Sequence, residues 1–460
     1  MDASIHDLTS LRLVAVYRSM RQKTGRVHAG RLLYEIYNHP GAISHPRDYG
    51  LSHAMEPTRG GSTCSVIPYR SKLGRRFVFK LSKQDWYDIC SVIAERIAIA
   101  HLEVTAMGNL ENGILSHLCA FGSLTVQRPH TNGSVKRNGA AGYLMSDAGE
   151  KSAWAAVREV GAGTDVMCDV ILQIIVIWLD MACAEVPCAN GDPSLTNFMM
   201  SDSTGDLVMI DIGHLVVGSG ADRVSARLLA QDCEREMRVM PRDWWLPHTD
   251  GSKKRLVFGQ AAEKPAGTKA DDGVLYGLPY GSEVPYIAPA QGERMTCNAA
   301  DGLALQFVIN LMVYRRVHRY KNKDTAAFVE GLVDDETRKS LVGVLSQSRP
   351  LRDVFDRVSR GEPLTPVQLS QFGSEAEVAE HMYALSFSKR LLTAHSRARA
   401  SARCAPWARI GWEWLRDRCA AEIDMKAWSE RRVRLLTAHH NLTVARPGLQ
   451  LCECPESKVS

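Results

Sequence analysis

The chain has 460 residues, of which 45% are hydrophobic and 23% are charged, and its net charge is +5. This composition is typical of a soluble globular protein, and the length allows two or three domains. The 12 cysteines are too few and too irregularly spaced for a disulfide scaffold, and the mild charge gives no case for nucleic acid by itself.

Two further features concern membranes. The segment that starts at Met1 lacks the basic and apolar regions of a signal peptide. The longest apolar stretch, from Val170 to Leu179, contains Gln173 and is far shorter than the roughly 20 residues that span a bilayer. We therefore expect a soluble intracellular protein that has no membrane partner.

After an N-terminal extension (1–54), two apolar runs predict a β-hairpin. The runs, Ser65-Val66-Ile67 and Phe77-Val78-Phe79, flank a turn rich in Gly, Lys and Arg. Lys80 ends the second run, and a predicted helix from Ile89 to Leu102 carries Glu95. Because an unpaired lysine is costly to bury on an apolar strand, Glu95 is its natural partner.

The elements that follow indicate an α+β protein. A strand-like run covers 142–145, and a buried helix is predicted from about 165 to 184. Two short strands come next, at 197–200 and 208–210. Residues 218–280 have an irregular pattern, and helical patterns resume at 301 and again at 375.

Carboxylate and amide side chains flank the two short strands. Asp192 and Asn197 lie on a tight loop before the first strand, and Asp211-Ile212-Gly213 directly follows the second. Transfer of a phosphoryl group requires a carboxylate that orients the attacking hydroxyl and oxygen ligands that hold a metal ion against the phosphates. Asp192 suits the first task, and Asn197 and Asp211 suit the second. Upstream, Gly60 and Gly61 are suited to a flexible flap over phosphates.

The order of these features resembles the eukaryotic-type protein kinase family. Its V-A-I-K motif is similar to Phe77-Val78-Phe79-Lys80, and its H-R-D-x4-N motif is similar to 190–197. Its D-F-G motif is similar to 211–213. Ala288-Pro289-Ala290 resembles A-P-E, Asp301 resembles the aspartate that opens a later apolar helix, and 143–149 lies where that family contacts adenine. The likeness covers about 55–355.

The resemblance implies a two-lobed kinase-like fold, with a small β-rich N-lobe at 55–149 and a larger helical C-lobe at 150–360. It also implies an ATP- and Mg²⁺-dependent serine/threonine protein kinase that acts on protein substrates. The implied residues are grouped by role. They are catalytic Asp192, Lys80 and Glu95, nucleotide-binding Gly60, Gly61, Val66, Lys80 and Met145, and metal-binding Asn197 and Asp211.

Several positions depart from the family's pattern. Asn190 and Gly191 replace the catalytic-loop His and Arg, and Ser194 replaces a lysine that contacts the γ-phosphate in many members. Ala290 replaces the A-P-E glutamate, and 218–280 forms a long insert in the activation segment. This drifted set resembles the kinases of large DNA viruses, herpesvirus-like ones especially, which implies a location in the host cytoplasm or nucleus.

Two alternatives remain open. A small-molecule kinase of the aminoglycoside or choline phosphotransferase type is one, because Gly191 before Asp192 and the segment Ile210-Asp211-Ile212-Gly213 resemble those families. A pseudokinase scaffold is favoured by the poor Gly-rich loop and by the absence of a lysine at position 194.

The C-terminal segment, 361–460, is basic and helical, and four tryptophans lie among its arginines. It is predicted to pack on the large lobe with its tryptophans buried and its arginines solvated. Binding of an acidic partner or of nucleic acid is the alternative.

Overall fold

The computed structural model describes part of the chain. The described residues are 15, 50–54, 59–60, 64–82, 86–105, 124–127, 131–132, 135–136, 140–149, 151–183, 188–190, 194–201, 204–217, 224–226, 229–230, 233, 303–305, 307–312, 320–345, 365–366, 405–433 and 436. The chain forms two compact units. One comprises Met1–Ala148 with Met209–Thr268, and the other comprises Gly149–Val208 with Lys269–Ser460.

The first unit contains a six-stranded antiparallel sheet. Its strands run in the order β1-β3-β4-β8-β5, and β2 pairs with β3. Their bounds are β1 Ser52–His53, β2 Arg59–Gly60, β3 Cys64–Arg70, β4 Arg76–Ser82, β5 Leu124–Gln127 and β8 Ala140–Ser146. A separate pair is formed by β6 Thr131–Asn132 and β7 Val135–Lys136. The predicted hairpin is confirmed as β3–β4, and the strand-like run at 142–145 is confirmed as part of β8.

The strand register assigns the side chains of the sheet to its two faces. Val66 pairs with Lys80, and Lys80 pairs with Tyr143, so β3, β4 and β8 place these residues in one row. Since successive side chains alternate between faces, the neighbours of Lys80 lie on the opposite side. There, a buried apolar cluster comprises Leu51, Tyr69, Phe77, Phe79 and Leu144.

Helix α1, Trp86–Thr105, packs against β4 and β8. Its sequence has no Gly or Pro and contains a run of Ile and Ala, so it forms a continuous helix with an apolar surface. Residues 92–100 are all buried. The predicted helix, Ile89 to Leu102, was about one turn too short at each end.

Two short strands lie in the later segment of the first unit. These are β13, Leu215–Val217, and β14, Val224–Ser225, which pair antiparallel and both pack on α1. Strand β14 lies inside the passage that was predicted to be irregular, so that prediction was wrong at 224–225. The other described residues of that passage are 226, 229–230 and 233.

The described residues of the second unit are mainly helical. Its helices are α2 Ala153–Val157, α3 Thr164–Cys183, α4 Lys323–Gly331, α5 Asp335–Leu345, α6 Trp412–Ala420 and α7 Met425–Arg431, and residues 303–305 and 307–312 are also helical. Its strands are β9 Lys151–Ser152, β10 Cys188–Asn190, β11 Phe198–Met200 and β12 Leu207–Met209, with β12, β11 and β9 forming one small sheet. Helix α3 confirms the predicted buried helix, and β11 and β12 confirm the predicted strand–turn–strand.

The C-terminal helices pack into the second unit. The Trp412 ring on α6 stacks on Trp178 of α3 with ring centroids 6.0 Å apart. Trp407 and Trp428 are also buried, so the packing predicted for these tryptophans is confirmed. The prediction that the arginines are solvated was wrong for Arg432, which is only 7% exposed.

The observed division differs from the predicted lobes in one respect. The first compact unit includes Met209–Thr268, whereas the sequence assigned this segment to the C-lobe. The boundaries predicted for the lobes and extensions stay predictions. No helix in the described part of the chain is both long and apolar enough to cross a membrane.

Candidate active site

A buried ion pair joins the sheet of the first unit to its main helix. Lys80, on β4, donates from Nζ to both carboxylate oxygens of Glu95 on α1, at 2.7 and 2.9 Å. Lys80 is 7% exposed and Glu95 is 1% exposed. The lysine therefore has the partner that its position on an apolar strand predicted. Because both oxygens face the same ammonium, the direction of the lysine side chain is fixed.

A second carboxylate approaches the same lysine. Asp211 follows β12, and its Oδ1 lies 3.5 Å from Lys80 Nζ. The N–H of Gly213 donates to this Oδ1 at 3.4 Å. The backbone N–H of Ile212 donates to Glu95 Oε1 at 3.1 Å. Lys80, Glu95 and the segment 211–213 thus form one connected group, which we call the lysine site.

The charges of the lysine site shift the pKa values of Lys80 and Asp211 so that both groups stay ionised. Burial alone lowers the pKa of Lys80, but Asp211 and Glu95 outweigh it and hold this pKa well above its usual value. The Lys80 ammonium lowers the pKa of Asp211, with a smaller contribution from His214. Burial raises the pKa of Glu95, and Lys80 acts in the opposite direction. At neutral pH, Lys80 is a cation and Asp211 is an anion.

The carboxylate of Asp211 is suited to contact a ligand. Its side chain is 49% exposed, in contrast to the buried Glu95. Glu95 is therefore a structural partner of the lysine, while Asp211 has a charged oxygen surface that reaches solvent. Ionised carboxylate oxygens are preferred ligands of Mg²⁺.

The predicted nucleotide-binding residues lie on the sheet around Lys80. Val66 is half-buried and directly opposite Lys80 on β3. Met145 is buried on β8, opposite Val78. Gly60 pairs with Ser65 at the start of the sheet. Gly61 lies outside the described residues.

Tyr143 was not predicted as a site residue. It pairs with Lys80 across β4 and β8, and its ring is fully buried. Burial, and next the charge of Glu95, raise the pKa of its phenol well above the usual value. The alternation of β8 could have indicated that this tyrosine faces the lysine, because it lies two residues before Met145 on the same face.

Asn197 lies in the second unit. It ends a 3₁₀ turn, Leu195–Asn197, that Ser194 caps by accepting the N–H of Thr196. The N–H of Asn197 donates to the Ser194 carbonyl at 2.9 Å, and the hydroxyl of Thr196 donates to Asn197 Oδ1 at 3.4 Å. The asparagine is 6% exposed and directly precedes β11. Asp192, the predicted catalytic carboxylate, lies outside the described residues.

The site suits a metal ion that is shared with a ligand. Within the described ranges, no three His, Cys, Asp or Glu side chains are grouped as a metal-binding cluster. Mg²⁺ is usually held by one or two protein oxygens together with substrate phosphates, without a complete protein cage. Asp211 fits this mode because it is ionised and half-exposed.

No protein-family model and no curated protein matches the chain. Among solved structures, it is similar to a Stt7 homolog from Micromonas algae soaked with ATP, at 14% identity and a TM-score of 0.33. That similarity covers 76% of this chain and 93% of the other. It is also similar to Rv3197 from Mycobacterium tuberculosis in complex with erythromycin, at 12% identity and a TM-score of 0.23, covering 45% and 59%. Because both TM-scores are low, the functional interpretation rests on the geometry of the site.

Proposed function

We propose that the chain is an ATP-dependent phosphotransferase with a two-lobed, protein-kinase-like fold. One observation carries this proposal: a lysine on a central strand, a buried helix glutamate and the aspartate of an Asp-Ile-Gly segment meet in one hydrogen-bonded group. The antiparallel sheet of the first unit and the helices of the second agree with a β-rich N-lobe and a helical C-lobe.

The lysine site is arranged to bind phosphate oxygens. The Lys80 ammonium has two bonds to Glu95, and Asp211 at 3.5 Å is its more distant partner. In the proposed complex, Lys80 orients the α- and β-phosphates and Glu95 keeps it in position. Val66 and Met145 form apolar surface for the nucleotide, and Gly60 and Gly61 allow the backbone to approach the phosphates.

Asp211 and Asn197 are the proposed metal ligands. A bound Mg²⁺ would neutralise charge on the phosphates as the phosphoryl group leaves. Asp211 would hold such a metal through an ionised oxygen, and Asn197 would add its amide oxygen. The predicted role of Asp192 is to orient the acceptor hydroxyl and take its proton. The acceptor oxygen then bonds to the γ-phosphorus while the bond to the β–γ bridging oxygen breaks and ADP leaves.

We propose serine and threonine hydroxyls of proteins as acceptors. Support comes from the sequence alone, in the segments 288–290 and Asp301 that resemble protein kinases. We also propose an intracellular location. An acidic partner or nucleic acid at the basic C-terminal segment is a lesser proposal, because three tryptophans of that segment are buried.

Transfer of labelled phosphate from ATP tests the proposal. Wild type, Asp192→Asn and Lys80→Met would be incubated with Mg²⁺, labelled ATP and either a generic protein substrate or a panel of amino-sugars and alcohols. We expect the wild type to label protein and both variants to lose labelling. Labelling of the small molecules alone would identify a small-molecule kinase. A wild type that binds Mg²⁺-ATP without transferring phosphate would identify a pseudokinase.

A further inference from the structure

A buried arginine near the C-terminus reaches across the second unit. Arg432 directly follows α7, and its side chain is 7% exposed. Its Nε and Nη2 donate to the two carboxylate oxygens of Asp169 on α3, at 3.1 and 2.7 Å. Two parallel bonds of this kind fix both the position and the plane of the guanidinium.

The remaining nitrogen of Arg432 binds a turn. Its Nη1 donates to Asp206 Oδ1 at 2.8 Å and to the carbonyl of Thr204 at 3.0 Å. Residues 204–206 directly precede β12 and lie in its connection from β11. All three guanidinium nitrogens of Arg432 are therefore bonded, two of them to α3 and one to this turn.

Neighbouring side chains strengthen the same arrangement. Trp428 Nε1 donates to Asp169 Oδ1 at 2.7 Å. Gln173, one turn further along α3, donates to Asp169 Oδ2 and to the carbonyl of Gly205, both at 3.2 Å. Its Oε1 accepts the N–H of Leu207 at 2.9 Å. We call Asp169, Gln173, Asp206, Trp428 and Arg432 the turn clamp.

The clamped turn follows a strand that begins directly after a proposed site residue. Strand β11 begins directly after Asn197, and Asp211 follows β12 by two residues. A shift of the turn along β11 would move the backbone that carries Asn197. Misplacement of a catalytic group by about 1 Å can reduce a rate about a hundredfold.

We propose that Arg432 is a positioning residue for the reaction: together with Asp169 it holds the β11–β12 turn and so fixes the strand that starts after Asn197. The inference rests on the phosphotransferase function proposed above. It gives Arg432 a part in holding a turn of the second unit, whereas the sequence predicted only a C-terminal extension that packs on the large lobe.

Three variants test the inference. Arg432→Gln removes the arginine's bonds to Asp169 and to the turn, and Asp206→Asn weakens only the bond to the turn. Arg431→Gln is the matched control, because Arg431 directly precedes Arg432 and is exposed. Hydrogen exchange of the amides in 204–207 measures how firmly the turn is held. This measurement does not depend on enzymatic activity. The kcat and the KM for ATP, measured over a range of Mg²⁺ concentrations, report its effect on transfer.

For Arg432→Gln we expect exchange at 204–207 to be at least about tenfold faster, because bonds to charged groups are lost. We expect kcat to fall about ten- to a hundredfold and more Mg²⁺ to be required. The KM for ATP should change less than about twofold, since no group of the lysine site is altered. Asp206→Asn should show the same pattern more weakly, and it keeps the test decisive if Arg432→Gln fails to fold.

Two results would overturn this inference and leave the proposed function intact. One is an active wild type whose two clamp variants keep the wild-type kcat and Mg²⁺ requirement. The other is unchanged exchange at 204–207 in both folded variants. A purely structural role predicts a lower Tm together with normal kinetics below it, which is the first of these results. A wild type that transfers phosphate to no acceptor overturns the proposed function and the inference together.

Discussion

The carboxylate of Glu95 accepts the backbone N–H of Ile212 at 3.1 Å. This hydrogen bond joins α1 to the residue next to Asp211, and the same carboxylate oxygen lies 2.7 Å from Lys80 Nζ. Displacement of α1 would therefore break the lysine pair and release the segment after Asp211 at the same time. The glutamate couples the two charged groups that the proposed reaction requires.

Glutamine and alanine at position 95 should separate these two roles. Glu95→Gln keeps an oxygen that can accept the Ile212 N–H, whereas Glu95→Ala removes it. We expect Glu95→Ala to lower the free energy of unfolding by about 3–5 kcal/mol, because it leaves Lys80 buried with only Asp211 as a carboxylate partner. Glu95→Gln should lose about 1–2 kcal/mol less. Urea unfolding at neutral pH measures both, and equal losses would show that the Ile212 bond contributes nothing.

The contribution of Lys80 to the free energy of unfolding should decrease at alkaline pH. Its pKa is higher in the folded chain than the roughly 10.4 of an unfolded lysine, so its contribution is complete below that value and declines as pH rises through the folded pKa. The difference in unfolding free energy between wild type and Lys80→Met should therefore be constant from pH 7 to 9 and shrink above about pH 10.4. The exposed Lys72 provides the control, Lys72→Met. A difference that shrinks below pH 9 would contradict a raised pKa of Lys80 in the folded chain.

Gly149 should not tolerate a side chain. Its φ is +145°, and an added Cβ would lie 2.1 Å from the carbonyl oxygen of Met200. We expect Gly149→Ala to lower the unfolding free energy by about 2–4 kcal/mol through strain and steric overlap. Gly161→Ala is the matched control, because its Cβ would meet nothing within 4 Å. Thermal unfolding of the two variants compares them directly, and equal Tm values would exclude close packing at Gly149.

Two tryptophans on α6 should differ in their effect on stability. Trp412 is 4% exposed and stacks on Trp178, whereas Trp414 is only partly buried. Trp412→Ala should lower the unfolding free energy by about 3–5 kcal/mol, because it leaves a cavity between α3 and α6. We expect Trp414→Ala to lose clearly less. If the two urea midpoints shift equally, α6 does not pack on α3 through Trp412.

The lysine site was predictable from the sequence because each of its members lies beside a strong local signal. A lysine on an apolar strand, such as Lys80, needs a nearby countercharge. The helix that follows it in the chain carries Glu95. Asp211 follows an apolar run and precedes a glycine. These signals depend on neighbouring residues in the chain, so the strand and helix patterns were sufficient to find them.

The turn clamp was not predictable in the same way. Arg432 is one of many basic residues in the C-terminal segment, and nothing in its immediate neighbours distinguishes it from Arg431. Its partner Asp169 is separated from it by most of the second unit's sequence. An arginine is buried when a distant carboxylate and carbonyl satisfy its donors, and the periodicity of a single segment does not contain that information.

The side chain of Gln173 on α3 takes the place of a strand residue beside the turn that precedes β12. Its side-chain amide donates to the carbonyl of Gly205 and accepts from the N–H of Leu207, which is the exchange that one residue of a neighbouring β-strand would make. A side chain on a helix thus makes the two hydrogen bonds that one residue of a neighbouring strand would make. Gln173→Leu would make α3 more uniformly apolar, yet it would leave two backbone groups of the turn without this partner.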